Sequence, residues 1–233
     1  ALALGVFSAA ELASRPMDVQ QAVASRTSIR DFLPEPVSDD LVRSLLEGAS
    51  RAPSGGNLQP WRIYVVNGAS LTKLREFLVD RPKFEELEYD MYPPKLWEPY
   101  RTSRFENGEQ LYGVIGVARE DKAERARWFA RNDDFFGAPC AIFCFVDRGM
   151  GPPQWSDLGM FLQTFMLLAQ EQGLSTCAQE YWSVRHGSIQ EFVGAPEQEM
   201  LFCGVALGRA NPDAAINTLR TTRRPLEEWA RWV

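Results

Sequence analysis

The sequence predicts an α+β or α/β domain. A run rich in β-branched and aromatic residues at 61–66 and two apolar runs at 141–146 and 200–207 read as strands. Longer segments between them repeat apolar residues at helical spacing. Helices outnumber strands and separate them, the pattern of helices layered on a sheet.

The elements follow in order. Ser8-Ala9-Ala10-Glu11 has the form of a capping box opening a short helix. Residues 17–24 have helical character, and Pro34 and Pro36 break the pattern. Ser38 followed by Asp39 and Asp40 starts the next helix with a capping hydroxyl and acids in the first turn, and Leu41, Leu45, Leu46 and Ala49 continue it to the loop at 53–56. The strand at 61–66 stops at Asn67-Gly68, and Ser70 is expected to cap a helix through Leu78. Residues 80–108 read as irregular, punctuated by Pro82, Pro93, Pro94 and Pro99 and interleaved with Phe84, Tyr89, Tyr92, Trp97, Tyr100 and Phe105. A loop of that length is a lid, an interaction surface or a disordered segment, and its aromatic content argues against disorder. Leu111, Val114, Ile115 and Ala118 fit a helix, although 111–117 also passes for a strand. A charged helix is expected over 121–131 and a buried strand over 141–146. The strongest helix covers 157–172, with Leu158, Phe161, Leu162, Phe165, Leu168 and Ala169 on one side and Gly173 closing it. A short helix at 188–193 ends at Gly194 and Pro196, the strand at 200–207 follows, and residues 226–229 are helical.

The 233 residues suffice for one domain with a substantial core. We divide them into an N-terminal extension, 1–16, and a single domain, 17–233. Hydrophobic residues at 45% and charged residues at 24% are ordinary for a globular protein. A net charge of −6 argues against nucleic acid as partner, because a phosphate backbone needs a basic face. No apolar run reaches the length of a membrane span, and the apolar start is too short, and lacks the basic region, of a signal peptide. Cys140, Cys144, Cys177 and Cys203 sit in apolar surroundings without a CxxC pair, and His186 is the sole histidine. Buried, reduced thiols in a cytoplasmic protein are therefore expected, and a metal site is not.

Two segments carry the chemistry. Arg26-Thr27-Ser28-Ile29-Arg30 places two guanidinium groups and a hydroxyl where they can converge on one anion; the plain alternative is a solvated charged turn. Pro53-Ser54-Gly55-Gly56-Asn57-Leu58-Gln59 combines glycines, which permit close backbone approach, with polar side chains that can bond the edge of a ring; here the plain alternative is a helix-ending loop. Together they suit a flat ligand bearing phosphate.

The pair resembles the N-terminal signature of the nitroreductase family of FMN flavoproteins, and the likeness runs from about Met17 to the C-terminus. It implies an α+β nitroreductase-like fold, with a central mixed sheet flanked by helices, in an intertwined homodimer with FMN at the interface. By that resemblance Arg26, Thr27, Ser28 and Arg30 hold the phosphate, the ribityl chain and the pyrimidine side of FMN. Pro53, Ser54, Asn57 and Gln59 reach it from the other subunit. Asn132, in Asn132-Asp133-Asp134-Phe135-Phe136, meets the pyrimidine edge, and Ala178, Gln179 and Glu180 lie beside the ring, with either Gln179 or Glu180 in contact. Arg220 and Arg223, in Arg220-Thr221-Thr222-Arg223-Arg224-Pro225, clamp the phosphate, with Arg224 as a further helper.

The resemblance implies a ping-pong oxidoreductase that uses NADPH or NADH to reduce nitroaromatic compounds by two-electron steps, with the cofactor rather than a side-chain triad carrying the chemistry. Residues 94–107 and Asn132 with Phe135-Phe136 resemble the nitrobenzoate-reducing branch; Arg101 or Arg104 is then a candidate partner for a substrate carboxylate, and equally a surface residue or dimer contact. Trp155, Trp182 and the aromatics of 84–105 are candidate pocket walls or ordinary packing. Quinone, azo or enone reduction on the same scaffold, and flavin binding without turnover, are the alternatives. His186 has no carboxylate or thiol neighbour in sequence and reads as an ordinary, partly buried side chain.

Overall fold

A computed structural model describes residues 17–233; the capping box at 8–11 lies outside that range. The domain is α+β. Its strands are β1 (Arg62–Asn67), β2 (Cys140–Asp147), β3 (Ser175–Gln179) and β4 (Glu199–Gly208), in the spatial order β1-β2-β4-β3. Among the described residues every pairing of these strands is antiparallel, which corrects the mixed sheet that the family resemblance implies. Parallel pairing is reduced to a single bridge, Ser28 with Thr176, where the N-terminal segment touches the β3 edge.

The eight described helices are α1 (Val19–Ser25), α2 (Asp39–Ala49), α3 (Ala69–Leu78), α4 (Tyr100–Val114), α5 (Lys122–Ala130), α6 (Pro152–Glu171), α7 (His186–Val193) and α8 (Leu226–Trp229). Seven of the eight β2 residues are buried, as a strand covered on both faces requires. Its side chains alternate between two cores. Cys140, Ile142, Cys144 and Val146 pack with Val42, Leu45 and Ala49 of α2 and with Leu158, Phe161, Leu162, Phe165 and Ala169 of α6. Ala141, Phe143 and Phe145 face Leu71, Leu74 and Leu78 of α3 and the aromatic pair Phe135 and Trp182. The apolar spacing read from sequence in α2 and α6 therefore marks the faces that cover the sheet.

Several boundaries move, each for a local reason. Helix α6 begins before the apolar period does, because Pro152 and Pro153 occupy its first turn, where a missing N–H costs nothing. Ser70 does not cap α3: Gly68 holds that position at φ +52°, and the Ser70 hydroxyl instead bonds back to both the N–H and the carbonyl of Asn67 at 2.9 Å. The irregular stretch ends at Pro99, where α4 starts, and 100–114 is helix rather than loop or strand. No residue of α4 is buried, so it lacks the apolar stripe that would have announced it. Strand β3 was also not expected. It is a polar pentapeptide, Ser-Thr-Cys-Ala-Gln, made a strand by pairing along β4.

Two close approaches fix the sheet. The β2–β4 register shifts between Cys144 and Phe145, so Phe202 has no partner across the ladder. Its carbonyl accepts the Tyr89 hydroxyl instead, which anchors the 79–99 stretch. At Gly204 of β4, Trp182 lies against the backbone. A Cβ there would come within 3.0 Å of the indole Cγ and Nε1, and nearer still to Cδ1. Trp182 is fully buried and stacks on Phe135 at 4.3 Å, so the indole has nowhere to retreat. Replacing Gly204 with alanine is therefore expected to destabilise the domain by about 1–3 kcal/mol, the usual range for overpacking. Urea unfolding of Gly204→Ala against the parent protein checks this; an unchanged midpoint would mean that the indole can move.

Candidate functional site

Two cavities meet between the N-terminal segment, α4, α6 and the sheet. One, of about 700 Å³, is lined by Arg26, Thr27, Ser28, Arg30, Arg220 and Arg223, with Asn107 of α4 and Gln163 of α6. The other, of about 680 Å³, is walled by aromatic residues, and Arg30 and Gln163 line both. Together they form one continuous site with a cationic end and a flat apolar end.

The cationic end is assembled by long-range pairing. Ile29 is buried and donates its N–H to the Thr176 carbonyl at 3.0 Å, which turns its neighbours Ser28 and Arg30 outward. Asn217 then fastens the segment to the C-terminal region. Its side-chain oxygen accepts the Arg30 N–H at 2.9 Å, and its amide donates to the Asp31 carbonyl at 2.7 Å. Arg220 and Arg223 follow three and six residues later and line the same cavity. Four guanidinium groups thus share one space with no Asp or Glu among the lining residues. None of the four forms an ion pair among the described residues, although most arginines elsewhere in the fold do, as Arg75, Arg131 and Arg185 show. Arg224 does not join them. It bonds Ser103 at 2.7 Å and the Pro99 carbonyl at 2.9 Å, and it pairs with Glu228 at 2.8 Å, which ties the C-terminal segment to α4.

The flat end is bounded by Tyr89, Tyr92, Tyr112, Trp128, Phe129 and Phe202, with Ala178, Gln179 and Glu180 along the sheet edge. Of the tryptophans considered from sequence, Trp182 belongs to the core, and Trp155 packs on Tyr89 and Phe202 behind the wall. Phe136 lines the floor and Phe135 lies beneath it, both with left-handed backbone, φ +58° and +50°, a conformation that costs free energy in aromatic residues and survives only where packing enforces it.

Gln179 and Glu180 have different roles. Gln179 is buried, and its amide donates to the backbone and side-chain oxygens of Asn132 at 3.1 and 3.0 Å while accepting the Trp182 indole N–H at 3.3 Å. Asn132 in turn donates to the Phe129 carbonyl at 2.8 Å. These two amides lock the sheet edge to the floor. Glu180 instead opens to the cavity, and desolvation raises its carboxyl pKa, opposed by the Tyr92 hydroxyl. Burial also raises the Cys177 thiol, against the lowering pull of Arg30 and Arg26, and pushes Cys203 to about 12.

Pro53, Ser54, Asn57 and Gln59 are not brought to this site by their own chain. They form a separate loop with Gly56, Asn57 and Gln59 at φ +56°, +56° and +50°, and Asn57 and Gln59 exposed. The loop is held at its base by Ser54, whose hydroxyl accepts the Gln59 N–H at 3.0 Å, and by the buried Asp157 of α6, whose carboxylate accepts the Gly55 N–H at 3.2 Å. Asp157, Asn217, Asn107 and Gln163 were not singled out from sequence. Each is an isolated polar residue whose partner lies far along the chain, so no local pattern marks it. His186 is partly buried, as expected, and the fold brings two distant carboxylates to it: Glu88 lies 3.4 Å and Glu85 3.8 Å away, both supplied by the 79–99 stretch.

An arginine-lined cavity opening onto an aromatic slot has the donor set and shape that suit a planar, phosphorylated ligand. The Nitroreductase family model matches residues 23–209, and the chain belongs to that family. It is 36% identical over 209 residues to the 4-nitrobenzoate reductase of Pseudomonas putida, covering 88% of this chain and 91% of that one. It is 32% identical over 219 residues to the nitrobenzene nitroreductase of Ectopseudomonas oleovorans, covering 92% and 96%. The crystal structure of the FMN- and NADPH-dependent nitroreductase NfnB of Sphigopyxis sp. strain HMH is 40% identical and superposes with a TM-score of 0.88 over 93% of this chain and 99% of that one.

The four cysteines are buried and unpaired, and burial shifts every thiol toward its neutral form, Cys140 also reaching about 12. Since the thiolate is the reactive species, the folded protein should resist iodoacetamide at pH 8, with all four cysteines alkylated only after denaturation. Rapid modification of Cys177 in the native protein, read by mass spectrometry, would contradict the burial described.

Proposed function

We propose that the chain is an FMN-dependent oxidoreductase that uses NAD(P)H to reduce nitroaromatic compounds. The observation that carries this reading is the group of four arginines without a carboxylate, continuous with a flat aromatic slot. That donor set suits a phosphate joined to a planar ring, and the fit agrees with the FMN dependence of the structural relative NfnB. The chemistry supplied by the bound cofactor is hydride transfer from NAD(P)H to an electron-poor acceptor, in two-electron, ping-pong steps.

The residues of this chain bind and orient. Arg26, Arg220 and Arg223 neutralise the phosphate, with Thr27 and Ser28 adding hydroxyl donors. Arg30, at the junction of the two cavities, sets a cation beside the ring end. Asn132 and Gln179 hold the sheet edge in place, Ala178 and Glu180 line the slot, and the aromatic walls exclude water from it. NADPH is the favoured donor, since it is the one named for NfnB.

A homodimer completes the site in this reading. The loop bearing Pro53, Ser54, Asn57 and Gln59 is preformed yet lies away from its own chain's cavity, so it is available to a partner's. The outer edge of β1 pairs with no strand among the described residues, and beside it α2, Trp61 and Phe161 line a groove of about 640 Å³. We place the protein in the cytoplasm on the strength of its four unpaired thiols; among the described residues no helix is long and apolar enough to cross a membrane.

The decisive experiment is an absorption spectrum of the purified protein before and after anaerobic NADPH. A bound-flavin spectrum that bleaches, then recovers when a nitroarene is added, is the expected result. A colourless protein that takes up no added FMN would refute it. Arg26→Ala and Arg223→Ala should each weaken FMN retention by roughly tenfold or more, the usual scale for losing a charge-assisted contact; stoichiometric FMN in both would remove these arginines from the phosphate site. Gln59→Ala should lower flavin affinity while leaving the subunit fold intact, measured by flavin fluorescence on dilution. Unchanged affinity would mean that this loop does not reach a partner's cavity.

A further inference from the structure

The aromatic slot contains one cation that the proposed cofactor contacts do not use. Arg104 projects from α4 into the slot, with its guanidinium carbon 4.3 Å from the centre of the Tyr92 ring. Among the described residues it has no ion-pair partner. Its neighbours differ: Glu98 holds Arg101 at 2.7 Å, Glu109 holds Arg125 at 2.9 Å and Asp31 holds Arg131 at 2.8 Å. Arg101 does not line the cavity, so the choice between Arg101 and Arg104 that the sequence leaves open falls to Arg104.

Tyr92 organises the charges at this end. Arg104 lies over its ring, while Glu180, the acidic residue lining the slot, faces its hydroxyl. No ion pair joins Arg104 to Glu180. A guanidinium resting on an aromatic face keeps its N–H groups for another acceptor, and its planar fork matches a carboxylate. The walls around it suit a benzene ring.

We propose that Arg104 anchors a carboxylate on the aromatic substrate, so that the site favours nitrobenzoate-type anions over uncharged nitroarenes. This rests on the reading of the slot as a nitroreductase site, and it bears on a real division, because the similar proteins include both a 4-nitrobenzoate reductase and a nitrobenzene nitroreductase. Arg104 is exposed and bonds no other part of the described fold, so its replacement leaves the domain intact; the flavin content of each variant verifies this.

The test compares the flavin-loaded parent protein with Arg104→Gln and Arg104→Lys. Steady-state reduction of 4-nitrobenzoate and nitrobenzene with NADPH gives the ratio of their kcat/KM values. Calorimetric titration with benzoate, which has no nitro group to reduce, measures carboxylate binding alone. In Arg104→Gln the ratio should fall roughly tenfold through the KM for nitrobenzoate, and benzoate should bind weaker by a similar factor. Arg104→Lys should fall between, since it keeps the charge and loses the fork. Equal losses for both nitroarenes, unchanged benzoate affinity, or a loss confined to the KM for NADPH would each overturn the proposal, the last marking Arg104 as a dinucleotide contact. A parent protein that binds flavin but reduces neither nitroarene would instead sink the proposed function, while the benzoate titration still decides whether Arg104 holds a carboxylate.

Discussion

The site depends on positive charge that no described residue neutralises. Arg26, Arg30, Arg220 and Arg223 line one cavity, with no acidic residue among its described walls, in a chain whose net charge is −6. Acidic residues are abundant enough to pair with arginines across much of the fold, so their exclusion here is specific. Such a cluster repels itself, and the repulsion is relieved when an anion enters. The rest of the local structure holds the cluster together: the buried Ile29, its bond to Thr176, and the two-sided grip of Asn217 on Arg30 and Asp31.

A second constraint is the floor of the slot. Trp182 stacks on Phe135 and crowds Gly204, and its indole N–H is received by Gln179, which also holds Asn132. Apolar packing and a satisfied amide network therefore act on the same few residues. The buried Gln179 amide, bonded at both its nitrogen and its oxygen, resists rearrangement, because a shift would leave a polar group unpaired. The left-handed backbone at Phe135 and Phe136 persists within this frame. A rigid floor suits a site that must hold a flat ligand in one orientation.

The loop at 53–59 and the open edge of β1 carry the same logic outward. Asn57 and Gln59 adopt left-handed backbone on either side of Leu58, and the loop is fastened from below by Ser54 and Asp157 while both side chains stay exposed. Ordering a loop in advance lowers the entropy lost when it binds. The β2–β4 irregularity at Phe202 has a related effect inside the chain. By freeing one carbonyl it gives the 79–99 stretch, through Tyr89, a fixed attachment beside the slot.

Much was legible in the sequence wherever the signal was local. The apolar spacing of α2 and α6, the β-branched run of β1 and the arginine- and glycine-bearing motifs are short-range patterns, and they identified the core faces, the family and the kinds of group at the site. The polar strand β3 and the antiparallel character of every strand pair were not legible, because pairing with distant segments creates them, and the start of α4 was not, because no residue of that helix is buried. The same holds for Asn217, Asp157 and the carboxylates around His186, whose partners lie far away in the chain. Sequence alone thus determined which chemical groups are available. The tertiary structure decided which of them meet: it gathered Arg220 and Arg223 onto Arg26 and Arg30, sent Arg224 to Ser103, turned Gln179 inward and left Arg104 facing the slot, since convergence in space depends on long-range packing that no local pattern encodes.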